Sequence, residues 1–104
     1  MSTMRNSVML IGKVADIVRK DNVVRFNINV SEFIKVDGEW KQETQLFNCI
    51  GYNTIADRVE LLKEDTQIAI EGKLHNYPYK ANDKTLVVTR IIVNDIIVLA
   101  SLKK

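Results

Sequence analysis

Val24-Arg25-Phe26-Asn27-Ile28-Asn29-Val30-Ser31 alternates without a break: Val24, Phe26, Ile28 and Val30 fall on one side, Arg25, Asn27, Asn29 and Ser31 on the other. A period of two over eight residues is a β-strand with one face in a core and one face free for solvent or ligand. That free face is polar and carries a cation. Working outward, Val8-Met9-Leu10-Ile11-Gly12-Lys13-Val14 is short, apolar and β-branched, a first strand in which Gly12 suggests a bulge or sharp bend. On the other side Asp37-Gly38 is a tight-turn dipeptide, and the polar stretch Glu32 to Gln45 is expected to form the extended tip of a hairpin. A third strand then covers about Leu46 to Tyr52. Asn53 or Thr54 caps a short helix in which Ile55, Val59 and Leu62 recur at helical spacing, with Asp57 and Glu60 near its positive end. Gln67 to Leu74 alternates again, Tyr77 to Lys84 is turn-rich, and Thr85 to Leu99 is a long β-rich run able to serve two sheet segments.

Three strands, a short helix and two further strands make an all-β chain. They match the order of the OB-fold, a five-stranded Greek-key barrel with one short helix between strands 3 and 4 and a ligand face on strands two and three. A length of 104 residues suits one such domain, 1–104 with its core at about 6–99. The apolar fraction of 46% and charged fraction of 27% are those of a soluble globular protein, and no run approaches the roughly 18 apolar residues of a membrane span. The N-terminus shows no export leader. Cys49 has no partner for a disulfide, and with His75 as the single histidine there is no set of ligands for a zinc or transition-metal site, so a cytoplasmic protein without metal or cofactor is expected. A net charge of +2 does not by itself announce a nucleic-acid partner.

Pattern does what net charge does not. A single nucleic-acid strand is held by cations for phosphates and flat side chains for bases. Phe33 and Trp40 fall in the two-three hairpin, Phe47 and Tyr52 on strand three, Tyr77 and Tyr79 in the four-five loop. Arg25 lies on the polar face of strand two, Lys35 and Lys41 beside the first hairpin, Lys73, Lys80 and Lys84 beside the second, with Lys13 and Arg90 as further candidate phosphate contacts. Phe26 belongs by phase to the core. Core packing and base stacking both fit Phe47 and Tyr52, whose opposite parity sends them to opposite sides unless a bulge at Gly51 intervenes. Trp40 and Tyr79 sit among polar residues where burial is harder to arrange, which favours a ligand or subunit contact. Cys49 reads as a small buried hydrophobe, and Asp57, Glu60, Glu64 and Asp65 as a solvated helix face and its capping. No pair of acids is forced into one cleft, so no catalytic residue is assigned and the chain is expected not to be an enzyme.

Taken in order, several segments resemble the bacterial single-stranded DNA-binding protein (SSB) family from about Asn6 to Leu99. The opening Asn6 to Val14, the strand Val24 to Val30, Asn48-Cys49-Ile50 followed by Tyr52 and Ile55-Ala56-Asp57, and above all Ile70-Glu71-Gly72-Lys73-Leu74 are similar to that family's strands and helix. The resemblance implies sequence-independent binding and protection of single-stranded DNA during replication, recombination or repair, by a homotetramer or dimer, with no small-molecule substrate and no membrane. It places base-stacking aromatics on Tyr52 and Tyr79. Two further stacking positions fall on Ile34, next to Phe33, and on Leu46, next to Phe47, so either the register slips by one or stacking is weaker there, with Trp40 as a compensating ring. Members of that family typically run on into a flexible linker with an acidic tip, whereas this sequence stops at Ala100-Ser101-Leu102-Lys103-Lys104. The expectation is therefore a core cut from a longer chain, a tailless relative of the kind carried by phages, plasmids and mobile elements, or a protein close to the primosomal replication-restart protein. An OB adaptor whose exposed aromatics meet a partner protein is the alternative function.

Overall fold

Five strands and one helix follow one another along the computed structural model, which describes residues 4–100: β1 (Val8–Lys20), β2 (Val23–Val36), β3 (Glu39–Tyr52), α1 (Thr54–Glu60), β4 (Gln67–Ala81) and β5 (Lys84–Ala100). The basic end Ser101-Leu102-Lys103-Lys104 lies outside the described residues. The strands close into a barrel in the order β1-β2-β3-β5-β4, the OB arrangement that the element order implies. Every neighbouring pair is antiparallel except β3 and β5, which meet in parallel at Cys49↔Ile91 and Ile50↔Ile92.

The alternating apolar residues make the core. Val24, Phe26 and Ile28 of β2 are buried with Val14, Cys49, Ile68, Ile70, Ile91, Val93 and Ile96, and Ala56 and Val59 of α1 plug one end of the barrel. Removing a buried isoleucine side chain from such a core costs about 2–5 kcal/mol. Asn53 takes the cap position of α1 at φ 54°, but its side chain makes no capping bond. Its backbone supplies the first contact instead, Asp57 N–H donating to Asn53 O at 3.0 Å. The helix ends at Glu60, short of Leu62, which packs against the core from beyond it. Asp57 and Glu60 both pair with Arg19 of β1 at 2.9 Å, tying helix to barrel.

Two expectations about the strands are corrected, and the proviso of a bulge at Gly51 falls away. The bulge in β1 lies between Ala15 and Val18, where Asp16 has φ 56°, and not at Gly12. Gly12 stands where β1 passes from pairing with β4 to pairing with β2, and a Cβ there would sit 2.2 Å from Asn29 O, so the residue is needed for close approach. Gly51 carries no bulge, since β2 and β3 stay in register from Val23↔Tyr52 to Val36↔Glu39. The two polar stretches are strands rather than loops: β2 and β3 pair up to Asp37-Gly38, and β4 and β5 up to Asn82-Asp83. In both turns the two central residues have positive φ, the geometry that matches the twist of a two-residue hairpin. Two long arms thus leave the barrel, one carrying Phe33 and Trp40, the other Tyr77 and Tyr79.

Candidate nucleic-acid interface

Residues paired across antiparallel or parallel strands point to the same side of a sheet. On the outer side of β2, Arg25, Asn27, Asn29, Ser31, Phe33 and Lys35 therefore stand beside Ile50, Asn48, Leu46, Thr44, Gln42 and Trp40 of β3. The parallel pair Ile50↔Ile92 carries this side onto β5, where Arg90, two residues before Ile92, faces His75 of β4. Lys73, Tyr77 and Tyr79 share that parity. One continuous surface results, and Arg90 lines three adjoining clefts on it. The first, of about 220 Å³, holds Asp16, Arg25, Asn27 and Asn48; the second, about 350 Å³, Lys20, Val23, Arg25 and Ile50; the third, about 310 Å³, Tyr77, Tyr79 and Val88.

Tyr77 organises the middle of this surface. Its hydroxyl is 3.4 Å from that of Tyr52, its ring lies 4.6 Å from the His75 ring, and the Arg90 guanidinium sits 5.3 Å from its centroid. The hydrogen bond to Tyr52, together with desolvation, holds the Tyr77 hydroxyl above its ordinary pKa, so Tyr77 stays neutral at physiological pH. On the two-three arm Lys35 Nζ is 5.8 Å from the Trp40 ring. Trp40, Phe33, Tyr52 and Tyr79 are 67%, 69%, 41% and 47% exposed, flat surfaces open to a ligand. Asn29 Oδ1 is a buried side-chain acceptor without a hydrogen-bond partner among the described residues, and it borders a further polar cleft with Lys13, Ser31 and Thr44.

Most of the residues picked from the sequence come together here: Tyr52, Tyr77, Tyr79, Trp40, Phe33, Lys13, Arg25, Lys35, Lys73 and Arg90. Three do not. Phe47 pairs with Ile28 and packs against the core, on the side opposite Tyr52. Lys41 and Lys80 pair with Ile34 and Thr85, so each lies on the reverse side of its arm from Trp40 or Tyr79. Where the resemblance offered Ile34 or Phe33, the outer side holds Phe33; where it offered Leu46 or Phe47, it holds Leu46, which is 61% exposed and carries no ring. Lys20 and Asp16 escaped the sequence reading. The signal for Lys20 was Asp21-Asn22, a turn that pairs it with Val23. Cys49 is buried, and desolvation pushes its thiol up to about 12, which excludes a thiolate nucleophile near neutral pH. Among the described residues no group of three or more His, Cys, Asp or Glu is placed to hold a metal ion, and no helix is long and apolar enough to cross a membrane.

A closed five-stranded barrel with two arms and a cationic, ring-bearing outer surface defines the oligonucleotide-binding class of β-barrels. Within it, the chain belongs to the single-strand binding protein family, whose model matches residues 5–99. It is similar to a Plasmodium falciparum SSB solved in complex with ssDNA, with 28% identity and a TM-score of 0.80 over 95% of this chain and 98% of that one. The fold also matches a small single-stranded DNA-binding protein from Streptomyces coelicolor, with 18% identity and a TM-score of 0.70 over 91% of this chain and 95% of that one. No curated protein matches the chain.

Proposed function

We propose that the chain binds single-stranded DNA along the outer surface of β2, β3, β4 and β5, shielding it during replication, recombination or repair. The observation that carries this is the Tyr52–Tyr77–Arg90 cluster, rings and a cation held together where three clefts meet. Bases stack on Tyr52, Tyr79, Trp40 and Phe33 at roughly 1–3 kcal/mol each, and Arg25, Arg90, Lys13, Lys20, Lys35 and Lys73 neutralise phosphates. The binding is passive: no bond is made or broken, and labelled single strands incubated with magnesium are expected to stay intact. A cytoplasmic, bacterial or mobile-element setting goes with this reading.

A second copy of the chain completes the protein. Met9 and Ile11 of β1 and Ile97 of β5, 72%, 55% and 55% exposed, flank Ala69 of β4 as an apolar strip on the barrel wall, and such strips on a small protein mark association surfaces. Dimers, or tetramers built from them, bury it.

Titration of the full chain with oligothymidylate tests the function. Trp40 fluorescence is expected to be quenched to saturation, with log affinity falling against log salt at about −0.7 per phosphate neutralised. A protein-binding adaptor would leave the fluorescence unchanged, and equal competition by duplex would contradict stacking.

A further inference from the structure

Two of the clefts around Arg90 hold an acid, Asp16 in the first and Asp21 in the second, and Asp16 is the one whose carboxylate is anchored by a side-chain hydrogen bond. Asp16 stands at the β1 bulge with φ 56°, lifted out of the β1–β2 ladder, and its Oδ2 accepts from Asn27 Nδ2 at 2.9 Å. Asn48, Arg25 and Arg90 supply the rest of its polar lining. A carboxylate among cations that face a phosphate chain repels the ligand, unless it meets something that donates hydrogen bonds. On DNA only the base edges donate.

We propose that this cleft receives one base edge-on and favours guanine, adding a local preference to binding that is otherwise indifferent to sequence. The inference rests on the reading of this surface as the DNA-binding one. A cavity of about 150 Å³ accommodates benzene, so about 220 Å³ suits a bicyclic purine. Guanine carries two adjacent donors, N1–H and the N2 amino group, that match the two oxygens of a carboxylate, and its O6 and N7 match a guanidinium. Asp16 takes the donors while Arg25 or Arg90 takes the acceptors. Oδ2 keeps a lone pair beyond the bond from Asn27. Adenine and cytosine offer a carboxylate one amino group each. Thymine offers a single N3–H between two carbonyl oxygens, which the carboxylate repels.

Short oligothymidylates carrying one interior guanine, inosine, adenine or cytosine, titrated against the full chain by tryptophan fluorescence, test this. The guanine oligomer is expected to bind about tenfold more tightly than the all-thymine one. Inosine, which lacks the N2 amino group, should lose most of that gain with the protein untouched. In Asp16→Asn the guanine-to-thymine ratio should fall to within about twofold, while affinity for the all-thymine oligomer does not drop. A wild-type ratio near one, or a ratio that survives Asp16→Asn, overturns the guanine site and leaves single-strand binding standing. Absence of binding to every oligomer overturns both.

Discussion

Tyr77 and Cys49 show how much a neighbour decides about a side chain. Tyr77 lies on the outer parity of β4 and gains a hydroxyl partner, a histidine ring and a guanidinium; Cys49, on the inner parity of β3, gains only apolar surroundings and a weak bond from Sγ to Phe47 O at 3.6 Å. The cysteine makes a prediction. Burial raises its pKa from 9.0 to about 12 in the folded chain, so its contribution to stability is complete below pH 9 and lost as pH climbs from 9 towards 12, at about 1.4 kcal/mol per pH unit. Urea unfolding of the wild type and Cys49→Ala across that window checks it: the variant starts less stable but declines less steeply, and parallel declines would refute the assignment. The sequence alone left Tyr52 and Phe47 undecided because either fits a core. The unbroken β2–β3 register settles them, since parity then sends Phe47 in and Tyr52 out. Phe33 and Ile34 are separated in the same way.

At the scale of elements, the barrel strands were legible and the arms were not, for one physical reason. Hydrophobic alternation exists only where one face is buried, and beyond Val30 in β2 and Leu74 in β4 most residues on both sides of the ribbon are exposed. Polar residues there look like loop. What holds them as strand is the two-residue turn at each tip, which fixes register, helped by cross-strand pairs such as Ser31 Oγ with Thr44 Oγ1 at 3.0 Å and Thr89 Oγ1 donating to Asn76 Oδ1 at 2.7 Å. Gly12 suggests a bulge or a sharp bend, and the bulge itself falls between Ala15 and Val18 because a glycine marks close approach as readily as a bulge. Since Gly38 sits at φ +81° with open space around its missing Cβ, Gly38→Ala is expected to strain the turn by roughly 1 kcal/mol and nothing else. Hydrogen exchange should then quicken in residues 31–44 while the barrel amides and the melting temperature hold. Slower exchange throughout the arm, or loss of barrel protection, would contradict the arm's independence.

For the whole molecule, closure of the barrel joins strands far apart in sequence, so Arg90 and Lys73 reach the side of Arg25 only through the β3–β5 parallel contact. No local pattern reveals that junction; the expected fold supplied it. The apolar strip of Met9, Ile11 and Ile97 is likewise visible only once β1, β4 and β5 lie side by side. Ile11→Glu is expected to shift the light-scattering mass to that of a monomer with the β-sheet circular dichroism retained, and an unchanged mass would remove the strip from the interface. At this scale the proposed binding has rings spread across two arms and the barrel grip one strand together. Its most direct measurement is the affinity of Trp40→Ala/Tyr52→Ala/Tyr79→Ala for oligothymidylate, with folding verified by thermal melting because all three rings are exposed. Affinity at least about a hundredfold below wild type is the outcome this structure predicts, and affinity equal to wild type in the folded triple variant would contradict it.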